Sequence, residues 1–246
     1  MRFLAVINYK FKEMTRDLGE LMVPIIFPVV FMVTFALAFK SSKGPMGLPF
    51  FDFLTPGMVI FALLMLAVGV SGSLVSETDK GTLLRIKLST MSSFELLSGF
   101  LIMWALVGVI QVVLLFGTGI LLGFKWQGGL QGLIFAGCIA SIAGIASVAL
   151  GLVVASFART EGQAGSFTTL ITVPMAFVIG SFMQASSEFF SKFLPWGQAV
   201  HCLRAILNAG APIELILPNI LWMITETVIL FVIGVLLYSR LRLRPE

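Results

Sequence analysis

Residues 54–87 read LTPGMVIFALLMLAVGVSGSLVSETDKGTLLRIK. The segment 54–75 carries no charged side chain, whereas the next twelve residues carry five: Glu77, Asp79, Lys80, Arg85 and Lys87. As a helix rising 1.5 Å per residue, 54–75 would extend about 33 Å, enough to cross a hydrocarbon core of about 30 Å. An apolar run of that length with an abrupt charged end reads as a helix leaving a bilayer for water.

The rest of the chain agrees. It has 246 residues, 58% of them hydrophobic and only 11% charged, and its mean hydropathy of +1.04 lies outside the range of soluble domains. Six segments qualify as spans: 21–39, 54–75, 96–123, 131–157, 165–185 and 218–239. There is no series of ten-residue alternating segments of the kind a transmembrane barrel needs. The expected fold is therefore an all-α integral membrane protein of one domain over 1–246. It comprises a helix over 1–20, five spans over 21–185, an outer-face segment over 186–217, a sixth span and a tail over 240–246.

Lys and Arg set the orientation, because cytoplasmic loops retain them. Eleven, among them Arg2, Lys12, Arg16, Lys80, Arg85, Lys87, Arg159 and Arg240, fall on one side, and five, Lys40, Lys43, Lys125, Lys192 and Arg204, on the other. Both termini are expected in the cytoplasm of a cell (plasma or inner) membrane protein. The net charge of +4 then reads as a topology signal, and its scatter over several loops argues against nucleic acid as a partner. Cys138 and Cys202 fall at different depths and are expected to be free. No apolar signal-peptide core with a small-residue cleavage site is apparent at the N-terminus.

Phe3, Ile7, Phe11, Met14 and Leu18 share one helical face, which predicts an amphipathic helix lying in the lipid interface. Pro24 and Pro28 predict a bend at the start of the first span. Ser92 and Glu95 fit a capping box, so the third helix is expected to begin near Ser93. In the fourth span Gly137, Ala140, Ser141, Gly144, Ser147 and Gly151 recur at spacings that let helices approach closely. Between spans five and six, Phe189, Phe190, Phe193, Leu194, Trp196, Leu203, Ile206 and Leu207 are too apolar for a solvated loop. They predict one or two short helices in the outer membrane face, stopped at Gly210.

The best enzymatic candidate is Gly69-Val70-Ser71-Gly72, which matches the GxSG nucleophile motif of rhomboid proteases, with His201 as base. The two must meet within about 3 Å, yet Ser71 falls near the cytoplasmic end and His201 on the outer side. His201 and Cys202 are adjacent, which on a helix points them about 100° apart, and no second cluster completes a metal site. No phosphate loop of the G-x-x-x-x-G-K-[ST] type occurs. Any ATP used would bind another chain.

Glu77, Gly81-Thr82-Leu83 and Ser93-Phe94-Glu95-Leu96-Leu97, together with Leu194-Pro195-Trp196, Ala199-Val200-His201-Cys202-Leu203-Arg204 and Asn208-Ala209-Gly210, resemble the signatures of permease subunits of type-2 ATP-binding-cassette exporters. The chain departs from that pattern with Cys202 at a position where a small residue is frequent and Leu84 where Glu often follows Leu. The resemblance implies a transport subunit with no enzymatic activity of its own, moving a substrate with energy from a separate ATPase that holds ATP and Mg. It also implies a second permease subunit, identical or similar, and a cytoplasmic coupling segment in which Glu77, Gly81, Thr82, Leu83, Arg85 and Lys87 meet the ATPase. Glu226, near the middle of the sixth span, and Gln111, at matching depth in the third, are the candidates for a translocation route. Trp196, His201 and Arg204 are the candidates on the outer face. Two readings without an ATPase-driven cycle stay open on the residues: a secondary transporter or channel-like protein, and a non-transporting anchor or sensor.

Overall fold

The computed structural model describes residues 11–12, 22–39, 42–79, 93–183 and 191–243. Among these residues α-helices follow in order: α1 Phe27–Ala38, α2 Phe50–Asp79, α3 Ser93–Leu121, α4 Gly129–Phe157, α5 Glu161–Val178, α6 Pro195–Leu207 and α7 Ile213–Tyr238. π-helical turns at Met22–Ile26 and Ser239–Leu243 extend α1 and α7, and a short 3-10 turn at Pro45–Gly47 precedes α2. Among the described residues there is no strand beyond an isolated bridge between Lys43 and Pro49.

Among the described residues four helices are long and apolar enough to cross a membrane: α2, α3, α4 and α7. The helices answering to the expected first and fifth spans are shorter, with α1 at 12 residues and α5 at 18. The expected fifth segment, 165–185, lies a few residues too far along the chain. Thr160 caps α5 by accepting the Gln163 amide, and Gln163 Oε1 accepts the Arg159 amide. This reciprocal cap starts the helix at Glu161. Gly180, at φ +79, ends it with bonds from Ser181 N to Ala176 O and Gly180 N to Phe177 O, a Schellman closure. The last span also starts earlier than expected, at Ile213. Pro218 lies inside the helix, in its second turn, where its missing amide leaves the Glu214 carbonyl without the usual i→i−4 donor.

α2 and α4 form the centre of the bundle. α5 packs on α2 at one edge and α7 on α4 at another, α1 and α3 cover further faces of α2, and α6 is wedged at one end among α2, α4 and α7. That end is tied by loops: Asp52 Oδ1 accepts the Lys125 amide, and Gln127 N donates to Leu207 O. The opposite end gathers Thr78, Tyr238 and the α4–α5 turn. The two ends sort as the charge count expects, with Lys125 and Arg204 at one and Arg159, Arg240 and Arg242 at the other.

Small residues on α4 do bring helices together, but not all of them. A Cβ on Gly151 would lie 2.6 Å from Val70 Cβ, whereas one on Gly137 would meet nothing within 4 Å. The expected bend in α1 is the π turn at Pro24. Pro28 has no amide to donate to Pro24 O, and Gln111 Nε2 from α3 supplies the bond, also donating to Ala62 O.

Rings form a continuous track on the α1 side. Phe27, Phe31, Phe35 and Phe39 follow at every fourth residue with centroids 5.7, 4.5 and 5.5 Å apart. The track continues to Phe50 at 4.8 Å and Phe53 at 6.5 Å. Phe182, just beyond α5, reaches across to Phe31, Phe35, Phe61 and Phe177.

Candidate functional site

α5 lies along α2 through a polar contact unusual for an apolar bundle. Ser71 Oγ and Thr168 Oγ1 are 2.7 Å apart, Ser71 Oγ reaches Ala164 O at 3.4 Å, and Thr168 Oγ1 donates to Ala164 O at 2.7 Å. All of this is buried. The next face of α5 is open: Gly162, Gly165, Ser166, Thr169, Leu170, Val173 and Pro174, with Val68 of α2, line an open groove of about 740 Å³. Ser166 Oγ donates to Gly162 O on its own helix at 2.8 Å, so it is the small residues of this face that suit it to the close approach of another helix. The sequence carries its signal, small and hydroxylated residues at helical spacing through 162–172, which sequence analysis did not single out as a site because such residues are common within membrane helices.

Ser71 is thereby accounted for. Its partners come from α2 and α5, while His201 is exposed on α6. α6 meets α2 at its first turns, where Arg204 lies over Phe53, about 27 Å along the helix from Ser71. No nucleophile and base come together there.

At the other end, Glu77 is buried two residues before the described end of α2. It lies close enough to Tyr238 to act on it electrostatically, as does Arg242. Thr78 Oγ1 and Tyr238 OH are 3.4 Å apart. The last turn of α2 therefore abuts the last turn of α7. Gly81, Thr82, Leu83, Arg85 and Lys87, Ser92, the Glu95 side chain and most of the N-terminal helix fall outside the described residues; Phe11 and Lys12 are helical and exposed.

Gln111 and Glu226 are not brought together. Gln111 is buried between α1 and α2 as a substitute donor. Glu226 sits half-buried on α7, whose packing is on α4 and α6, and its Oε2 is shielded without a hydrogen-bond partner. Neither lines the groove.

The outer-face candidates divide. Trp196 is 1% exposed and donates from Nε1 to Ser147 Oγ at 2.8 Å, so it anchors α6 to α4 inside the bundle. Cys202, expected beyond the outer membrane surface and free, is free but buried within the bundle, and burial pushes its thiol up to about 12. Gly210, at φ +63, turns the chain away beyond α6 as expected. Arg204 donates to Met183 O at 3.2 Å and Ser181 O at 3.4 Å, beyond the C-terminus of α5, with its guanidinium 4.4 Å from the Phe53 ring centroid. Burial lowers it to about 10, which leaves it charged at neutral pH. Its Nε has no partner, and no carboxylate among the described residues pairs with it.

Comparison with known proteins gives two findings. The family model described as ABC-2 type transporter matches residues 1–215. The linearmycin resistance permease protein LnrN of Bacillus subtilis (strain 168) is 26% identical over 171 residues, covering 65% of this chain and 42% of that protein. The chain thus spans less than half the length of this relative.

Proposed function

The chain belongs to the ABC-2 type transporter family, and on that premise we propose that it is the membrane subunit of an ATP-driven exporter, energised by a separate ATPase and completed by a second permease copy. The name of its relative, a resistance permease, supports outward transport. α1 with its π turn and α5 complete six spans, the bilayer thinning locally to match both short helices, and both termini face the cytoplasm.

The observation that carries the reading is the α2–α5 groove. A single copy leaves Gly162, Gly165, Ser166 and Thr169 facing lipid, and membrane helices associate through such small and hydroxylated faces. A second copy set against it encloses a path lined by hydroxyls. Glu77 serves as the hinge through which Gly81, Thr82, Leu83, Arg85 and Lys87 respond to the ATPase. Displacement there must differ between the ATP-bound and free states, since a segment bound equally in both shifts nothing.

The test is purification from native membranes in mild detergent, with cysteine at Ser166 or Thr169 in a Cys138→Ser background. A stoichiometric Walker-motif subunit, lost on Glu77→Ala with Arg85→Ala, and a disulfide-linked pair of permeases at either cysteine are expected. Recovery of the chain alone under conditions that preserve other membrane complexes would move the reading to an ATPase-independent transporter.

A further inference from the structure

α2 runs past the start of its neighbour α5. A Cβ on Gly72 would lie 3.6 Å from Glu161 Cγ, which sets the first residue of α5 against Gly72, and the residues from Ser73 to Asp79 extend about 10 Å beyond it. On this projecting end Leu74 and Val75 are buried in one cluster with Leu97 and Leu101 of α3 and with Tyr238, the last residue of α7. Tyr238 is 2% exposed, and its hydroxyl lies 3.4 Å from Thr78 Oγ1. A threonine has one O–H to give. That of Thr78 goes to Leu74 O at 3.0 Å, so Tyr238 is the donor between the two helices. α7 presents this hydroxyl from a fixed base. One turn earlier on the same face, Gly234 brings α7 so near α4 that an added Cβ would lie 3.1 Å from Ala149 O. Glu77, itself buried, and Arg242, in the π turn that follows α7, both lie within electrostatic reach of Tyr238.

We propose that Tyr238 is a positioning residue for the Glu77 end of α2: its hydroxyl ties Thr78, and with it Glu77, to α4 by way of α7. This rests on the transport reading, in which Glu77 is the hinge toward the ATPase, and adds the group that holds the hinge in place. Coupling between distant sites is carried by packed side chains, hydrogen bonds and rigid elements. A push on Glu77 therefore reaches the far end of α2 only if the projecting end moves with the rest of the rod. Without the Tyr238 bond that end is held sideways by its apolar contacts alone, and part of the displacement is lost there.

The test follows the transmitted displacement. The permease with its co-purified ATPase is placed in nanodiscs, and nucleotide is trapped with MgATP and vanadate. An environment-sensitive dye on Met183→Cys, in a Cys138→Ser background, reports from the exposed turn beyond α5, against which Gly57 of α2 packs. In the parent the dye signal should shift on trapping. Tyr238→Phe keeps the ring and loses only the hydroxyl. It should cut the shift at least twofold, because one neutral hydrogen bond is worth about two- to tenfold in an equilibrium, while ATPase stoichiometry and trapped nucleotide stay at the parent level. Thr78→Val should do the same, the double variant should be no worse than either, and Thr78→Ser, which keeps the acceptor oxygen, should match the parent. Thr227→Val, which removes another buried hydroxyl from α7, should leave the shift unchanged. A parent-sized shift in Tyr238→Phe, or additive losses in the double variant, would overturn the proposal. So would loss of the ATPase from the Tyr238→Phe complex, which makes Tyr238 an assembly contact, or an equal loss of shift in Thr227→Val, which assigns the effect to packing of α7. A parent dye indifferent to trapping, with the ATPase present, overturns this proposal alone. A parent that yields no ATPase overturns the transport reading and this proposal with it.

Discussion

Gly57→Ala should be among the most damaging single-methyl additions in this chain. An ideal Cβ at Gly57 would lie 1.7 Å from Ser181 O, 2.6 Å from its carbonyl carbon and 2.8 Å from its Cα. A close carbon–oxygen contact runs about 3.3 Å, so α2 and the turn beyond α5 must part by about 1.5 Å. The obstacle is backbone, and no side-chain rotation relieves it. Overpacking of this kind costs about 1–3 kcal/mol. The same Ser181 oxygen accepts from Arg204, and losing that bond adds about 1 kcal/mol. For a chain of this size, about 2–4 °C of melting temperature goes with each kcal/mol, so a fall of about 4–16 °C is expected. Cys202 provides the assay: buried, with its thiol pushed up to about 12, it stays unreactive toward a thiol dye until the fold opens, once exposed Cys138 is replaced by Ser. Gly137→Ala is the control, because nothing lies within 4 Å of its added Cβ and alanine is the better helix former by about 1 kcal/mol. Its melting temperature should hold or rise. A Gly57→Ala protein melting within about 1 °C of the parent would refute the close-approach argument.

Three further outcomes are expected. Ser71→Ala and Thr168→Val, singly and together in a double-mutant cycle, should show a coupling of about 0.6–1.7 kcal/mol; zero coupling would mean that the 2.7 Å contact contributes nothing. Glu226→Gln should leave export within about twofold of wild type, since Glu226 lies outside the groove, and a loss of tenfold or more would return it to the route. Stability followed by intrinsic tryptophan fluorescence should be full below about pH 8.5, where the unfolded Cys202 thiol begins to ionise, and should decline as pH rises toward the folded value of about 12. Cys202→Ala should flatten that decline.

Much of the fold was legible because its causes are local. Apolar runs fix the long helices, Pro24 fixes the bend, and Gly210 fixes the turn after α6. The fifth helix was misplaced although Thr160 and Gln163 announce its start, because its middle is rich in Ser and Thr and its hydropathy is low. What the sequence could not distinguish were residues of one type in different surroundings. Gly57 and Gly137 look alike on paper, and only the packed neighbour, Ser181 in one case and open space in the other, separates them. Trp196 reads as an interfacial aromatic until Ser147 is seen to hold its indole nitrogen. Gln111 and Glu226 were paired by depth, and depth leaves rotation about the bundle undetermined.

The geometry of α2 bears on how a signal from the ATPase would cross the membrane. Its 30 residues make a rod of about 45 Å, touching α5 through Ser71 and Thr168 toward the Glu77 end and the turn beyond α5 through Gly57 near the other. A tilt of about 3° about its middle displaces each end by about 1 Å in opposite directions. At Gly57 there is no slack to absorb that displacement, so the turn at Ser181 must travel with α2 or separate from it. Arg204 holds that turn and Phe182 follows it. Movement at the Glu77 end of α2 is thus felt at the turn beyond α5 without any bending of the rod.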